Sequence, residues 1–368
     1  MTIPYCTGDG TSGSPYIPTG TNEEQCQGFL NAIAETKAYV KLTSMIDFST
    51  HPVYKTGFTS PIPFKCISLT ADLDSDGLPQ YGVSGLVYKT SSAGQFNSGM
   101  FGYPNHNASP YDYNNEMIEV QGIKFVNFVL SNYGYSDYMS DDYTLRLFAV
   151  TDTNDYAMAQ TFSNCAFSGI VKLRTRCFAL AGAQYKETYY NDCSVYLTFQ
   201  QPSDGYLIGT TTGHAGSDSP FGKMTRCCVV VTNLKAYNRF ALNYCNDCTF
   251  LFNNLVFVNN DASGSLTPAA LVGICCEQYG DAPNSTSGNV IIAKISRTVL
   301  LAQPVNIVCK SASSVVAITD SDGNTLDSSL WYKRYDATIT DFASGDVGAY
   351  TPDDLKDVDK LVECGFIP

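Results

Sequence analysis

The chain has 368 residues and a formal net charge of −13, and no Lys or Arg run offsets that charge, which argues against a nucleic-acid partner. Hydrophobic residues make up 44% and charged residues 15%, while Tyr (25), Phe (20) and Gly (29) are plentiful, a balance that suits a β-rich chain with many turns. The opening MTIPYCTGDG has no basic start, and the most apolar stretch, 269–276, is too short to span a bilayer, so neither a signal peptide nor a membrane partner is expected.

Residues 11–20 (TSGSPYIPTG) read as turns. Thr21-Asn22-Glu23-Glu24 is a capping-box pattern, and Cys26, Phe29, Leu30 and Ile33 follow at helical spacing. Together they predict a short amphipathic helix over about 22–36. In 39–49 (YVKLTSMIDFS), Val40 and Leu42 and then Ile46 and Phe48 alternate, as in strands. From about 62 to 310 no helical period recurs. β-prone runs at 117–130, 160–173, 188–199 and 224–234 are separated by Gly, Asn, Asp and Ser.

A common core recurs at intervals of roughly 20–35 residues: Asn164-Cys165, Asp192-Cys193, Arg226-Cys227-Cys228 and Asp247-Cys248, each followed closely by an apolar residue. That interval suits one coil of a parallel β-helix, whose turns stack on a shared interior. A sandwich would show hairpin turns more often, and the Asp-Gly pairs at 76–77, 204–205 and 322–323 lie far apart. The expected fold is therefore all-β: a right-handed, pectate-lyase-like parallel β-helix with short N-terminal and C-terminal helices. Residues 1–50 form a cap or attachment module, 51–310 the β-helix, and 311–368 a C-terminal β element and helical tail. In the tail, Thr351-Pro352-Asp353-Asp354 opens a helix with Leu355, Val358, Leu361 and Val362 as its apolar stripe.

Cys245 and Cys248 stand in C-x-x-C spacing, which raises packing, metal binding and redox chemistry as readings. A zinc site wants a second such pair or paired His, and the three His, at 51, 106 and 214, are scattered. A thioredoxin-like motif wants a βαβ context. Packing is the preferred reading: Cys248 lies in register with Cys165, Cys193 and Cys228, and no cofactor or metal is expected. Strand alternation would place one thiol of Cys227-Cys228 inward and one outward. With no export signal, the thiols are expected to be reduced.

Both ends show a resemblance. Gly8-Asp9-Gly10-Thr11, Pro15-Tyr16-Ile17, Glu23-Glu24, Tyr39, Leu42-Thr43 and Ile46-Asp47-Phe48 resemble the module that opens many parallel β-helix surface proteins of gut bacteria, their phages and prophages. Met45 stands where that family usually carries Asp. The closing TPDDLKDVDKLVECGFIP is similar to the tails of phage-type surface proteins. The resemblance implies a virion component of the tail-spike or fibre type, assembled in the host cytoplasm and then extracellular. Its implied partners are a bacterial surface glycan or receptor, other virion proteins, and copies of itself in a homotrimer.

A glycosidase needs two facing carboxylates. Asp192 and Asp247 precede cysteines of the recurring core, so both are expected to face outward; the alternative is that each serves as a turn residue. Asp141-Asp142 and Asp152 with Asp155 are further carboxylate candidates. Lys172, Arg174 and Arg176 could serve a lyase or form a solvated face. Residues 72–77 (DLDSDG) have the alternating acids of a calcium loop, but Val83 stands where its closing Glu belongs. Tyr103, Tyr111, Tyr113, Tyr133, Tyr135 and Tyr138 crowd among Asn, Asp, Ser and Gly, a composition suited to sugar recognition or to packing. The preferred function is non-enzymatic host recognition. The alternatives are a carbohydrate-active β-helix enzyme and a bacterial surface adhesin.

Overall fold

The computed structural model describes residues 3–90, 99–102, 117–132, 144–149, 159–172, 177–181, 188–200, 222–232, 235–236, 245–246, 248–258, 272–273, 290–299, 308–309 and 314–320. Among these residues the chain is mostly β, with one α-helix, and its large sheets are parallel. Of the predicted elements, the C-terminal helix lies outside the described residues.

The helix spans Asn22–Ala34 and begins as the capping box predicts. Glu24 N–H donates to Thr21 Oγ1 (3.4 Å), and Thr21 N–H donates to the Glu24 carboxylate (2.7 Å). Cys26, Phe29, Ala32 and Ile33 form its buried stripe. It ends two residues before the expected 36, because Glu35 already takes an extended backbone. Phe48, read as a strand residue, instead opens a 3-10 turn, Phe48–Thr50, in which the Asp47 carboxylate accepts from Ser49 N–H at 2.9 Å. Phe48 stays buried, edge-on to Phe29 with ring centres 6.0 Å apart.

A seven-stranded sheet runs Tyr39–Leu42, Ser68–Ala71, Met117–Gln121, Ala159–Ser163, Thr188–Asn191, Gly222–Thr225, Cys245–Asn246. The main path of an eleven-stranded sheet runs Met45–Asp47, Tyr81–Ser84, Ile123–Asn132, Ala166–Lys172, Ser194–Phe199, Cys228–Thr232, Thr249–Val258, Val290–Val299, Ser314–Asp320. A four-stranded sheet holds Ile62–Pro63, Gly99–Gly102, Thr144–Ala149 and Cys177–Ala181. The chain moves repeatedly from the first sheet to the second and returns, so sheet neighbours are joined by crossovers, as parallel pairing requires. Ser314–Asp320 pairs with Val290–Val299 and so belongs to the eleven-stranded sheet.

Register carries apolar side chains across the strands in lines. In the seven-stranded sheet one buried line is Val40, Leu69, Val120, Phe162, Tyr190 and Met224. In the eleven-stranded sheet another is Ile46, Val83, Phe125, Phe167, Val195 and Val229. Rings stack along these lines: Phe125 on Phe167 with centres 5.5 Å apart, and Phe162 on Tyr190 at 5.2 Å. Phe148, from the four-stranded sheet, meets Phe162 at 5.0 Å and Phe125 at 5.2 Å, so all three sheets feed one apolar interior.

The N-terminal module satisfies the first strand of each sheet. Beside Tyr39–Leu42, Tyr16 N–H donates to Tyr39 O and Lys41 N–H to Tyr16 O, both at 2.9 Å. Beside Met45–Asp47, the Asn22 amide acts as a strand would: its Oδ1 accepts from Asp47 N–H (2.9 Å) and its Nδ2 donates to Asp47 O (2.7 Å). Just past Ile62–Pro63, Lys65 and Cys66 N–H groups donate to Ile33 O at the helix end (2.7 and 3.1 Å). Contacts of this kind cover part of each sheet edge with the chain's own groups.

Candidate functional site

Between the seven- and eleven-stranded sheets the chain turns a corner that repeats from strand to strand. Gly122, Asn164, Asp192 and Arg226 each occupy it with positive φ (68°, 51°, 54° and 50°). Their N–H groups join the corners: Gly122 donates to Ser163 O, Asn164 to Asn191 O, and Asp192 to Thr225 O. Gly, Asn and Asp accept this left-handed backbone more readily than other residues, which explains three of the four. Arg226 is the exception.

The residue after each corner is buried: Ile123, Cys165, Cys193 and Cys227, with Cys248 next in the same register. The line therefore contains Cys227 and not Cys228 as expected. Cys228 pairs with Ser194 and Thr249, one position further on. Both members of the pair are buried: Cys227 lies at the corner just before the strand, and Cys228, Val229, Val230 and Val231 are all buried, so both faces of this strand are covered. The single S–H of Cys193 has two carbonyl acceptors within reach, Asn191 O (3.3 Å) and Phe162 O (3.4 Å), and that of Cys227 has Thr225 O and Tyr190 O (both 3.4 Å). Burial pushes the Cys193 and Cys227 thiols well above the ordinary range, which suppresses the thiolate that metal binding or redox attack would need. Ile123 at the same place marks the position as one for a compact apolar group. Cys245 is the register partner of Met224, so the two cysteines of the C-x-x-C fall in different lines. Among the described residues no group of three or more His, Cys, Asp or Glu is placed to hold a metal ion.

The outer side of the corner carries Asp192, which is exposed. Arg226 grips both of its oxygens, Nε to Oδ1 and Nη2 to Oδ2, each at 2.6 Å. Both carboxylate oxygens are thus occupied by a guanidinium one strand away. Asp247, its proposed partner, lies outside the described residues, as do Asp141, Asp142, Asp152, Asp155, Arg174 and Arg176. Lys172 is described at the end of Ala166–Lys172, where it pairs in register with Ser131. In the calcium-like stretch, Asp74 Oδ1 accepts from Asp76 and Leu78 N–H, both at 2.9 Å, and Asp72 pairs with Lys41 Nζ at 2.8 Å. Asp74 therefore organises its own tight turn.

The face of the seven-stranded sheet opposite its buried apolar line is lined mainly by polar residues. One line across its strands is Lys41, Thr70, Gln121, Ser163, Asn191 and Thr225, and the parallel line contains Tyr39, Ser68, Glu119, Thr161 and Tyr189. Strand alternation puts these opposite the buried Val40-to-Met224 line. Glu119 and Gln121 are exposed; Thr70, Ser163, Tyr189, Asn191 and Thr225 are half-buried, and Ser68 is buried. Amides and hydroxyls thus recur at strand spacing, about 4.8 Å. The composition of the strands held no sign of this ribbon until register aligned them.

The six tyrosines singled out in sequence, Tyr103, Tyr111, Tyr113, Tyr133, Tyr135 and Tyr138, lie outside the described residues. The first three fall between Gly99–Gly102 and Met117–Gln121, a strand of the polar face. Among the described residues no helix is long and apolar enough to cross a membrane. No protein-family model, curated protein or solved structure matches the chain.

Proposed function

We propose that the chain is a right-handed parallel β-helix that serves as a host-recognising surface component of a tailed-phage virion and binds a bacterial surface glycan without cleaving it. Three parallel sheets feeding one interior, with the chain passing repeatedly from one sheet to another, support the β-helix, and right-handed crossovers are the general preference. The resemblance of both ends supports the virion role. A homotrimer anchored to other virion proteins fits that role.

The observation that carries the glycan is the outward ribbon on the seven-stranded sheet. It offers hydroxyls, amides and the Tyr39 and Tyr189 rings at regular strand spacing. A glycan presents hydroxyl groups and apolar ring faces, which such a surface matches by hydrogen bonding and stacking. The pairing of Asp192 with Arg226 supports the non-cleaving reading over the enzymatic one.

The test is a panel of purified bacterial surface polysaccharides, with the full chain and its Tyr189→Ala and Asn191→Ala variants. Retention on one polysaccharide class, weakened about tenfold by each substitution, is the expected result. Retention on none, or equal retention by the variants, would overturn the glycan reading. New reducing ends or unsaturated uronates, lost on Asp192→Asn, would replace it with an enzyme.

A further inference from the structure

Gln160 and Thr188 are buried polar residues, 1% and 2% exposed. They are register partners on adjacent parallel strands. Each stands two residues before an inward ring, Phe162 and Tyr190, so both face the same interior. Among the described residues, Gln160 Nε2, Gln160 Oε1 and Thr188 Oγ1 have no hydrogen-bond partner. Buried amides and hydroxyls are almost always bonded, since an orphaned one forfeits its hydration without return. The next residue in the same line is Gly222.

We propose that Gln160 and Thr188 form an internal binding site for ordered water. The chemistry of the three atoms selects the ligand. Nε2 is a donor, Oε1 is an acceptor, and the hydroxyl can be either. Water supplies both functions. A halide or carboxylate would leave Oε1 unmatched, and a metal cation would leave Nε2 unmatched. Strand spacing of about 4.8 Å lets a single water bridge the amide and the hydroxyl.

Two measurements on the full chain test the site. The first is a crystal structure that orders water, collected from native and bromide-soaked crystals. Density within about 2.7–3.2 Å of both side chains, without a bromide signal, is expected. A bromide peak there, or side chains bonded directly to protein groups with no such density, would overturn the proposal. The second is urea unfolding of Gln160→Leu, Thr188→Val and the double variant. Each single change strands the remaining partner and its water, and raises the unfolding constant about tenfold. The double variant removes every polar atom and falls well short of the product of the two. Single variants that instead stabilise the fold, as deleting a dry orphan would, contradict a hydrated site. Should a variant fail to fold, the density decides.

Discussion

Replacing Asn22 with Ala removes the side chain that stands in for a strand beside Met45–Asp47. Two backbone hydrogen bonds are lost, Asp47 N–H to Oδ1 (2.9 Å) and Nδ2 to Asp47 O (2.7 Å), together with the contact of Nδ2 to Thr50 Oγ1 at 3.1 Å. A hydrogen bond of this kind contributes about 0.5–1.5 kcal/mol, so the backbone pair contributes about 1–3 kcal/mol. Alanine favours the helix by up to ~0.7 kcal/mol relative to ordinary residues, which offsets part of the loss. The net expectation is a destabilisation of about 1–2 kcal/mol. Urea unfolding measures it, and hydrogen exchange read by NMR locates it, because the Asp47 amide should lose protection while Val40 and Val83 amides keep theirs. Unchanged stability with full protection at Asp47 would refute the idea that the Asn22 amide closes this edge.

Arg226 sits in a left-handed backbone that costs an ordinary residue about 1–2 kcal/mol, against an exposed ion pair with Asp192 that contributes about 0–1 kcal/mol. Arg226→Asn should therefore leave stability unchanged or raise it by up to about 1 kcal/mol in urea unfolding, and a clear loss would show that the ion pair dominates. A Cβ at Gly169 would lie 2.3 Å from the Phe128 ring, so Gly169→Ala should cost about 1–3 kcal/mol, and adding Phe128→Leu should recover part of it. Burial raises the Cys66, Cys193 and Cys227 thiols, and that of Cys26 to about 12, above the ordinary value of about 8.5. Their contribution is fully present below that ordinary value and is lost as pH rises toward the folded-state values, by about 1.4 kcal/mol per pH unit for each thiol. The urea midpoint should fall steeply from about pH 9 upward, and a flat profile would mean the thiols are solvated.

Local signals were legible where a few neighbouring residues decide the conformation. Thr21 and Glu24 announced the helix start because a capping box closes within one turn. The Asn-Cys, Asp-Cys and Arg-Cys repeats marked the corners because the left-handed position and the buried position are adjacent in sequence. The choice between Cys227 and Cys228 was not legible. Both are buried, and only the pairing of Cys228 with Ser194 shows which one follows the corner. The polar ribbon was hidden for the same reason, since Gln121, Ser163 and Asn191 are brought together by register over dozens of residues. The pairing of Asp192 was not legible, because nothing nearby in sequence identifies Arg226, 34 positions away, as its partner.

The most direct test of a common apolar interior is alkylation of the native, full-length protein with iodoacetamide, read peptide by peptide by mass spectrometry alongside a zinc assay. Cys165, Cys193, Cys227 and Cys248 should remain unmodified until denaturant is added, with no zinc released. Native-state labelling of these four, or stoichiometric zinc, would contradict the interior line on which the fold and the outward polar face both depend.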